Sequence, residues 1–268
     1  MINLELFSCA GGMAEGFRRA GIHFDVAVDF AADHCDSYEA NLGHRPITMD
    51  VRDLLRLVRA GLVRWEVDLL VADPPCTPWS RAGNRLGTAD ERDMLEVTCE
   101  LIAALRPHRY LIGNVPGLDD TKNLPVVRKY IGGLAAHGYC VRDFMRLDAA
   151  DYGVPQHRHR PFWFGHRAGH CLRVPVRTHA DPRDVERGIW ALSLEGIAGT
   201  PLRPWVTCRD ALGHLEPADL GRPVKMRKRN DHGTQKGSVA DRPARTVGTS
   251  NLSDGNNLAL RRSRHDEP

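Results

Sequence analysis

The feature that most constrains this chain is the run Val67–Ala72 (VDLLVA), which passes directly into Asp73-Pro74-Pro75. A near-continuous apolar run of this length suits a parallel strand covered on both faces. Two successive prolines permit neither helix nor further ladder, so the strand must end in a rigid loop. Similar alternation fills the first 150 residues. Strand-like segments occur at Ile2–Phe7, Phe24–Asp29, Ile47–Val51 and Tyr110–Ile112. Helical spacing occurs at Met13–Ala20 (stopped by Gly21), from Asp29 to about Ala40, at Asp93–Leu105 and at Leu124–His137. Alternation of β and α at this spacing predicts an α/β fold, a Rossmann-like doubly wound and mostly parallel sheet with right-handed crossovers.

Past about Gly165 the periodicity fades, and Pro, Arg, His and Asp become frequent. A boundary near Arg167 divides the chain into a 1–166 sheet domain and a smaller, loop-rich region, 167–268. Charge divides in the same sense. Residues 1–150 carry a net −4 and residues 151–268 a net +7, within a total of +3 for 268 residues. A basic half joined to a near-neutral one points to a polyanionic partner, and Lys225-Met226-Arg227-Lys228-Arg229 is its densest stretch. The seven cysteines are scattered with no CxxC pair, which argues against a zinc knuckle or a disulfide framework. No metal is expected. No apolar stretch approaches the roughly 20 residues of a membrane span. The first residues lack the basic-then-apolar layout of an export signal, so the expectation is a cytoplasmic protein with no membrane partner.

In open α/β sheets, ligands bind beyond the C-terminal ends of the strands. There the sequence places Cys9-Ala10-Gly11-Gly12, Asp29 and Asp50, after strands one, two and three. Glycine lets the backbone approach a ligand, and acids at the next strand ends suit ribose hydroxyls. A nucleoside-bearing cofactor follows, although the GxGxxG spacing of dinucleotide folds is missing. After strand four comes Asp73-Pro74-Pro75-Cys76-Thr77-Pro78. Amino-group methyltransferases use an Asp-Pro-Pro-aromatic loop at this place. A thiol held there by two prolines points instead to covalent catalysis by Cys76.

These residues resemble the DNA (cytosine-5) methyltransferase family, and the resemblance covers roughly residues 2–165. Leu6-Phe7-Ser8-Cys9-Ala10-Gly11-Gly12 is similar to its S-adenosylmethionine motif, Pro74-Pro75-Cys76 to its nucleophile loop, Asn114-Val115-Pro116-Gly117-Leu118 to its Glu-Asn-Val motif and Gln156-His157-Arg158-His159-Arg160 to its Gln-x-Arg-x-Arg motif. The resemblance implies that S-adenosylmethionine is the cofactor and S-adenosylhomocysteine the product. It further implies that Cys76 adds to C6 of a cytosine extruded from double-stranded DNA, activating C5 toward the methyl group. In the same reading Asn114 belongs to the catalytic motif, and Arg158 and Arg160 hold the base O2 or nearby phosphates. Phe7, Ala10, Gly11 and Gly12 line the cofactor site, Asp29 takes the ribose and Asp50-Val51 the adenine edge. Asp73, Pro74 and Leu95 complete the pocket.

Two departures stand out. Gly113 replaces the glutamate that partners N3 of the base, and losing one such stabiliser costs roughly 10²–10³ in rate by analogy with oxyanion-hole donors. It is read as an engineered change, as a natural member with low turnover, or as a pocket enlarged for another base. The family's last motifs have no counterpart, and Asp241-Arg242-Pro243-Ala244-Arg245-Thr246-Val247 resembles the segment preceding them. The region 167–268 is therefore expected to be an incomplete target-recognition region, with a second chain as one source of the remainder. Two alternatives stand beside DNA methylation: a cytosine-5 enzyme acting on RNA, and a non-catalytic, partner-dependent DNA-binding subunit.

Overall fold

The computed structural model describes residues 1–75, 93–141, 144–167, 175–188, 190–191, 200–212 and 244–245. Cys76, Lys225–Arg229 and most of Asp241–Val247 lie outside the described residues.

The first compact unit joins the described residues of Met1–Arg146 to those from Arg160 to Arg167. Its strands are β1 (Ile2–Leu6), β2 (Val26–Asp29), β3 (Ile47–Thr48), β4 (Val67–Ala72), β5 (Arg109–Gly113), β6 (Cys140–Val141), β7 (Met145–Asp148), β8 (Gln156–His157) and β9 (His159–His166), of which β8 and the ends of β7 and β9 lie in the second unit. The main sheet runs β3-β2-β1-β4-β5-β9-β6, with β7 pairing β9. Strands β3, β2, β1, β4 and β5 are parallel, whereas β9 runs antiparallel to both β5 and β6. The mostly parallel doubly wound sheet expected from the sequence is thus the observed architecture. Leu4, Leu6, Val28, Leu70, Ala72, Ile112 and Trp163 are almost completely buried and form the centre of its core.

The helices α1 (Gly12–Arg19), α2 (Ala32–Leu42), α3 (Val51–Arg59), α4 (Leu95–Leu105) and α5 (Leu124–Tyr130) cover the sheet. Helix α3 occupies positions where the sequence suggested the end of a strand. Strand β3 spans only Ile47–Thr48, and Asp50 caps α3 by accepting the Arg52 N–H at 2.7 Å. Val51, Leu54 and Leu55 then supply its buried stripe. The expected helix 124–137 is divided: α5 ends at Tyr130, and Gly132–His137 continues as a 3₁₀ helix, because the Gly132-Gly133 pair weakens the α-helical continuation. No helix among the described residues is long and apolar enough to cross a membrane.

The second unit contains Leu147–His159 and the described residues from Pro175 on. Packing therefore groups the segment preceding Arg160 with the C-terminal region, a division different from the one at 166/167. Its elements are short: β10 (His179–Ala180), α6 (Pro182–Glu186), β11 (Trp190–Ala191), β12 (Thr200–Pro201), β13 (Arg203–Pro204), α7 (Cys208–Leu212) and β14 (Ala244–Arg245). Strand β14 pairs parallel with β8.

Gly11 is the residue on which the first turn depends. Its φ is +86°, and a Cβ there would lie 2.5 Å from Leu42 Cδ1 and 3.0 Å from the Tyr38 ring. Gly11→Ala is expected to destabilise the protein by about 2–3 kcal/mol, combining left-handed strain with overpacking. Urea unfolding of the purified variant checks this, and an unchanged midpoint would contradict it.

Candidate active site

The C-terminal ends of β1, β2, β4 and β5 converge on one edge of the first unit. The turn after β1 is held by unusual backbone geometry, with φ of 58° at Phe7 and 47° at Cys9 in addition to Gly11. Two contacts secure it: the Gly11 N–H donates to the Ser8 carbonyl at 2.9 Å, and the Cys9 N–H donates to Asp29 Oδ2 at 2.8 Å. Phe7 packs half-buried against the main core, whereas Cys9, Ala10 and Gly12 are exposed. A Cβ on Gly12 would meet nothing within 4 Å. An exposed, glycine-containing turn leading into a helix N-terminus fits a nucleoside-bearing cofactor, as the sequence suggested.

Asp29 is 4% exposed. Besides Cys9, its carboxylate accepts the Ala31 N–H at 3.0 Å and faces His34 Nδ1 at 3.1 Å. Three of roughly four acceptor directions are thus engaged within the protein, and Asp29 ties the first turn to the end of β2. Next to it Phe30 is 68% exposed, edge-on to His34. Phe30 was missed by sequence reasoning, although a large aromatic directly after a strand-ending acid is a legible sign of a flat ligand. Asp50 is occupied as the cap of α3, Val51 is buried behind it, and Leu95 is fully buried in the core at the start of α4.

A second missed residue is Glu5. It sits in the central strand β1, 2% exposed, and accepts the Ala14 N–H in the first turn of α1. The Tyr38 hydroxyl faces its carboxyl, yet Oε2 has no hydrogen bond of normal geometry among the described residues. Burial, then the nearby Asp29 and Asp73, push its pKa from an ordinary 4.5 up to about 7, against the opposing pull of Tyr38 and Ala14. An acid between two leucines, in the strand INLEL, was the available signal.

At the other side of this edge, Asp73 is exposed at the end of β4 and Pro74 is buried. Asn114, 1% exposed, joins three chain segments. Its backbone N–H donates to the Pro161 carbonyl at 3.2 Å, its Nδ2 donates to the Pro74 carbonyl at 3.3 Å, and its Oδ1 accepts the Val115 N–H at 2.8 Å. Asn114 thus holds the chain at Pro74, just past the end of β4 and two residues ahead of Cys76 in the sequence. Gly113 ends β5 opposite Phe162 of β9. A Cβ at Gly113 would lie 3.1 Å from Phe162 Cε1 and 3.5 Å from Asp73 Oδ1. The first unit thus brings together Phe7, Ala10, Gly11, Gly12, Asp29, Asp73, Pro74, Gly113 and Asn114. Arg160 belongs to the same unit, at the start of β9, and Arg158 to the second unit. No group of three or more His, Cys, Asp or Glu suited to a metal occurs among the described residues.

Residues 1–197 match the family model for C-5 cytosine-specific DNA methylase. Type II methyltransferase M.AquIA of Picosynechococcus sp. is 33% identical over 232 residues, 80% of this chain and 89% of the relative. M.AgeI of Thalassovita gelatinovora is 30% identical over 237 residues, 84% and 54% respectively. M.FnuDI of Fusobacterium nucleatum is 34% identical over 168 residues, 61% and 46%. The chain thus spans most of the first relative and about half of the other two. Among solved structures, a prophage-encoded E. coli protein shares the fold with a TM-score of 0.57 at 24% identity, over 81% of this chain and 56% of that one.

The Glu5 environment yields a prediction. Because the fold favours the neutral carboxyl, the folded protein binds more protons at Glu5 than the unfolded chain does between about pH 4.5 and 7. Stability therefore falls as pH rises through that window. Glu5→Gln, which keeps an acceptor for Ala14, is expected to flatten this slope and to stabilise the protein at pH 8 by about 1–3 kcal/mol. Thermal unfolding at pH 5 and pH 8 checks it, and equal pH slopes in both proteins would contradict it.

Proposed function

From the premise that the chain belongs to the C-5 cytosine-specific DNA methylase family, we propose that it methylates C5 of an extruded cytosine in DNA through a transient bond between Cys76 and C6. The observation that supports this reading is the Asn114 bond to the Pro74 carbonyl, which fixes the chain two residues before Cys76 at the sheet edge that also carries the Gly11-Gly12 turn.

The residues at that edge fit S-adenosylmethionine. Ala10, Gly11 and Gly12 supply an open turn, Phe7 and the exposed ring of Phe30 suit the adenine, Asp29 at the end of β2 the ribose, and Asp50-Val51 at the start of α3 the adenine edge. Asp73, Pro74 and the wall behind Leu95 close the site. When bound, the cofactor supplies an electrophilic methyl group on a cationic sulfur, and Asp73 adds negative charge at that edge. Cys76 adds its sulfur to C6 of the cytosine, which makes C5 a carbon nucleophile that takes the methyl group. Loss of the C5 proton then expels the sulfur and restores the ring. Arg158 and Arg160 offer planar donor pairs to the base O2 or to phosphates. The division into a cofactor domain, 1–166, and a target-recognition region, 167–268, is part of the same proposal, as is double-stranded DNA in the cell interior as the substrate.

At Gly113 the family's carboxyl is missing from the neighbourhood of the base. A Cβ at this position requires the Phe162 ring to yield by a few tenths of an ångström and lies 3.5 Å from Asp73 Oδ1, so a restored glutamate would share the site with that carboxylate.

Two measurements test the proposal. A duplex containing 5-fluorocytosine, incubated with protein and S-adenosylmethionine, is expected to form a covalent adduct that Cys76→Ser abolishes. Retained DNA binding with no adduct would favour the non-catalytic subunit, adduct formation on structured RNA alone would favour an RNA substrate, and rescue by an added polypeptide would favour a two-chain enzyme. Gly113→Glu is expected to raise the rate of adduct formation by about 10², the scale of one transition-state donor. A rate unchanged by that substitution would mean that the pocket serves a different base.

A further inference from the structure

The family resemblance accounts for Gln156, Arg158 and Arg160, but not for the two histidines between them. His157 ends β8, His159 begins β9, and Arg158 is the single residue between the two strands. Both histidines turn toward Asp148, the last residue of β7. Asp148 Oδ2 lies 2.7 Å from His157 Nδ1 and 3.7 Å from His159 Nε2. Its Oδ1 accepts the Arg158 N–H at 2.8 Å, and the neighbouring Ala149 N–H donates to the Arg158 carbonyl at 3.2 Å. Both main-chain polar groups of Arg158 are therefore fixed by residues 148 and 149.

Burial would raise the Asp148 pKa, but His157 and the N–H groups of Arg158 and Ala150 outweigh it and hold the carboxyl below the usual carboxylate range. The side chain is 10% exposed and ionised at neutral pH. An ionised acceptor requires Nδ1 of His157 to be the donor, which sets that ring's tautomer. His157 is braced from its other side. Its ring meets Trp205 edge-on at 4.7 Å, and Trp205 Nε1 donates to Asp151 Oδ1 at 2.9 Å, in the 3₁₀ turn that Asp148 itself caps. Asp148, His157, Trp205 and Asp151 form a closed ring of contacts within the second unit. Among the described residues, no hydrogen bond or ion pair holds the guanidinium of Arg158.

We propose that Asp148 is a positioning residue that, with His157 and Trp205, fixes the Arg158 backbone so that its guanidinium is presented to DNA. The inference rests on the reading of Arg158 given above as a base or phosphate ligand. Asp148 itself touches no substrate; it acts through Arg158.

The test is a double-mutant cycle read by DNA binding, which does not depend on turnover. The probe is a fluorescent duplex with a cytosine opposite an abasic site, an arrangement that lowers the cost of extrusion without requiring a known recognition sequence. Arg158→Ala is expected to weaken binding about tenfold, the scale of one good arginine contact. Asp148→Ala is expected to weaken it comparably, and the double variant Asp148→Ala/Arg158→Ala no further than Arg158→Ala alone. Asp148→Asn, which keeps an acceptor for the Arg158 N–H, is expected to restore most of the loss. Unchanged thermal unfolding and unchanged S-adenosylhomocysteine affinity would separate positioning from general damage. Additive losses, or full binding by Asp148→Ala, would overturn the proposal while leaving the role of Arg158 intact. Full binding by Arg158→Ala would instead remove the reading on which it rests, and the proposal with it.

Discussion

Asn114 carries more of this architecture than any other side chain. A buried asparagine offers side-chain donors and an acceptor that must be satisfied, and here they hold the chain after β4 and the turn after β5, while its main-chain N–H holds the start of β9. Losing it would leave the Pro74 carbonyl without that donor. Pro74 in turn stands directly after Asp73 at the end of β4, so this one donor fixes the chain where it leaves the sheet.

The opposite half of the same edge is organised by carboxylates. Asp29 fastens the first turn from beneath, and Glu5 accepts from the first turn of α1 while remaining inside the sheet. Asp29 and Asp73 make the ends of β2 and β4 acidic, while the Glu5 carboxyl, held toward its neutral form, lies behind them in β1. The arrangement costs stability, visible in the raised pKa of Glu5, and suits a ligand that carries positive charge at its reactive atom. Such strain concentrates at functional edges, and the positive φ values of Phe7 and Cys9 follow the same rule.

Much of this was legible in the sequence. The run Val67–Ala72, the prolines after it and Asp29 placed the strands of the sheet correctly, because burial on both faces and proline stereochemistry are local signals. Helix α3 was hidden because Asp50 reads equally well as a strand-ending acid and as a helix cap, and only the buried stripe of Val51, Leu54 and Leu55 decides between them. The split after Tyr130 was written in Gly132-Gly133, which apolar spacing alone overrides too easily. Asn114 as an anchor could not be read, since its partners lie 40 residues before it and 47 after it along the chain. Asp148 was equally silent, because its meaning depends on a strand folding back to place two histidines and one main-chain N–H around a single carboxylate.

The pairing of Gly113 with Phe162 has a consequence for how the seam between β5 and β9 assembles. Antiparallel ladders with bulky residues on both faces tolerate sliding poorly, yet a slip by one position would turn every side chain of β9 to the wrong face, including Arg160. A missing side chain on one strand and a large ring directly across from it make a notch and a peg. The ring has little room to spare in the observed alignment, so the bare position in β5 helps set the register of the returning strand like a vernier mark.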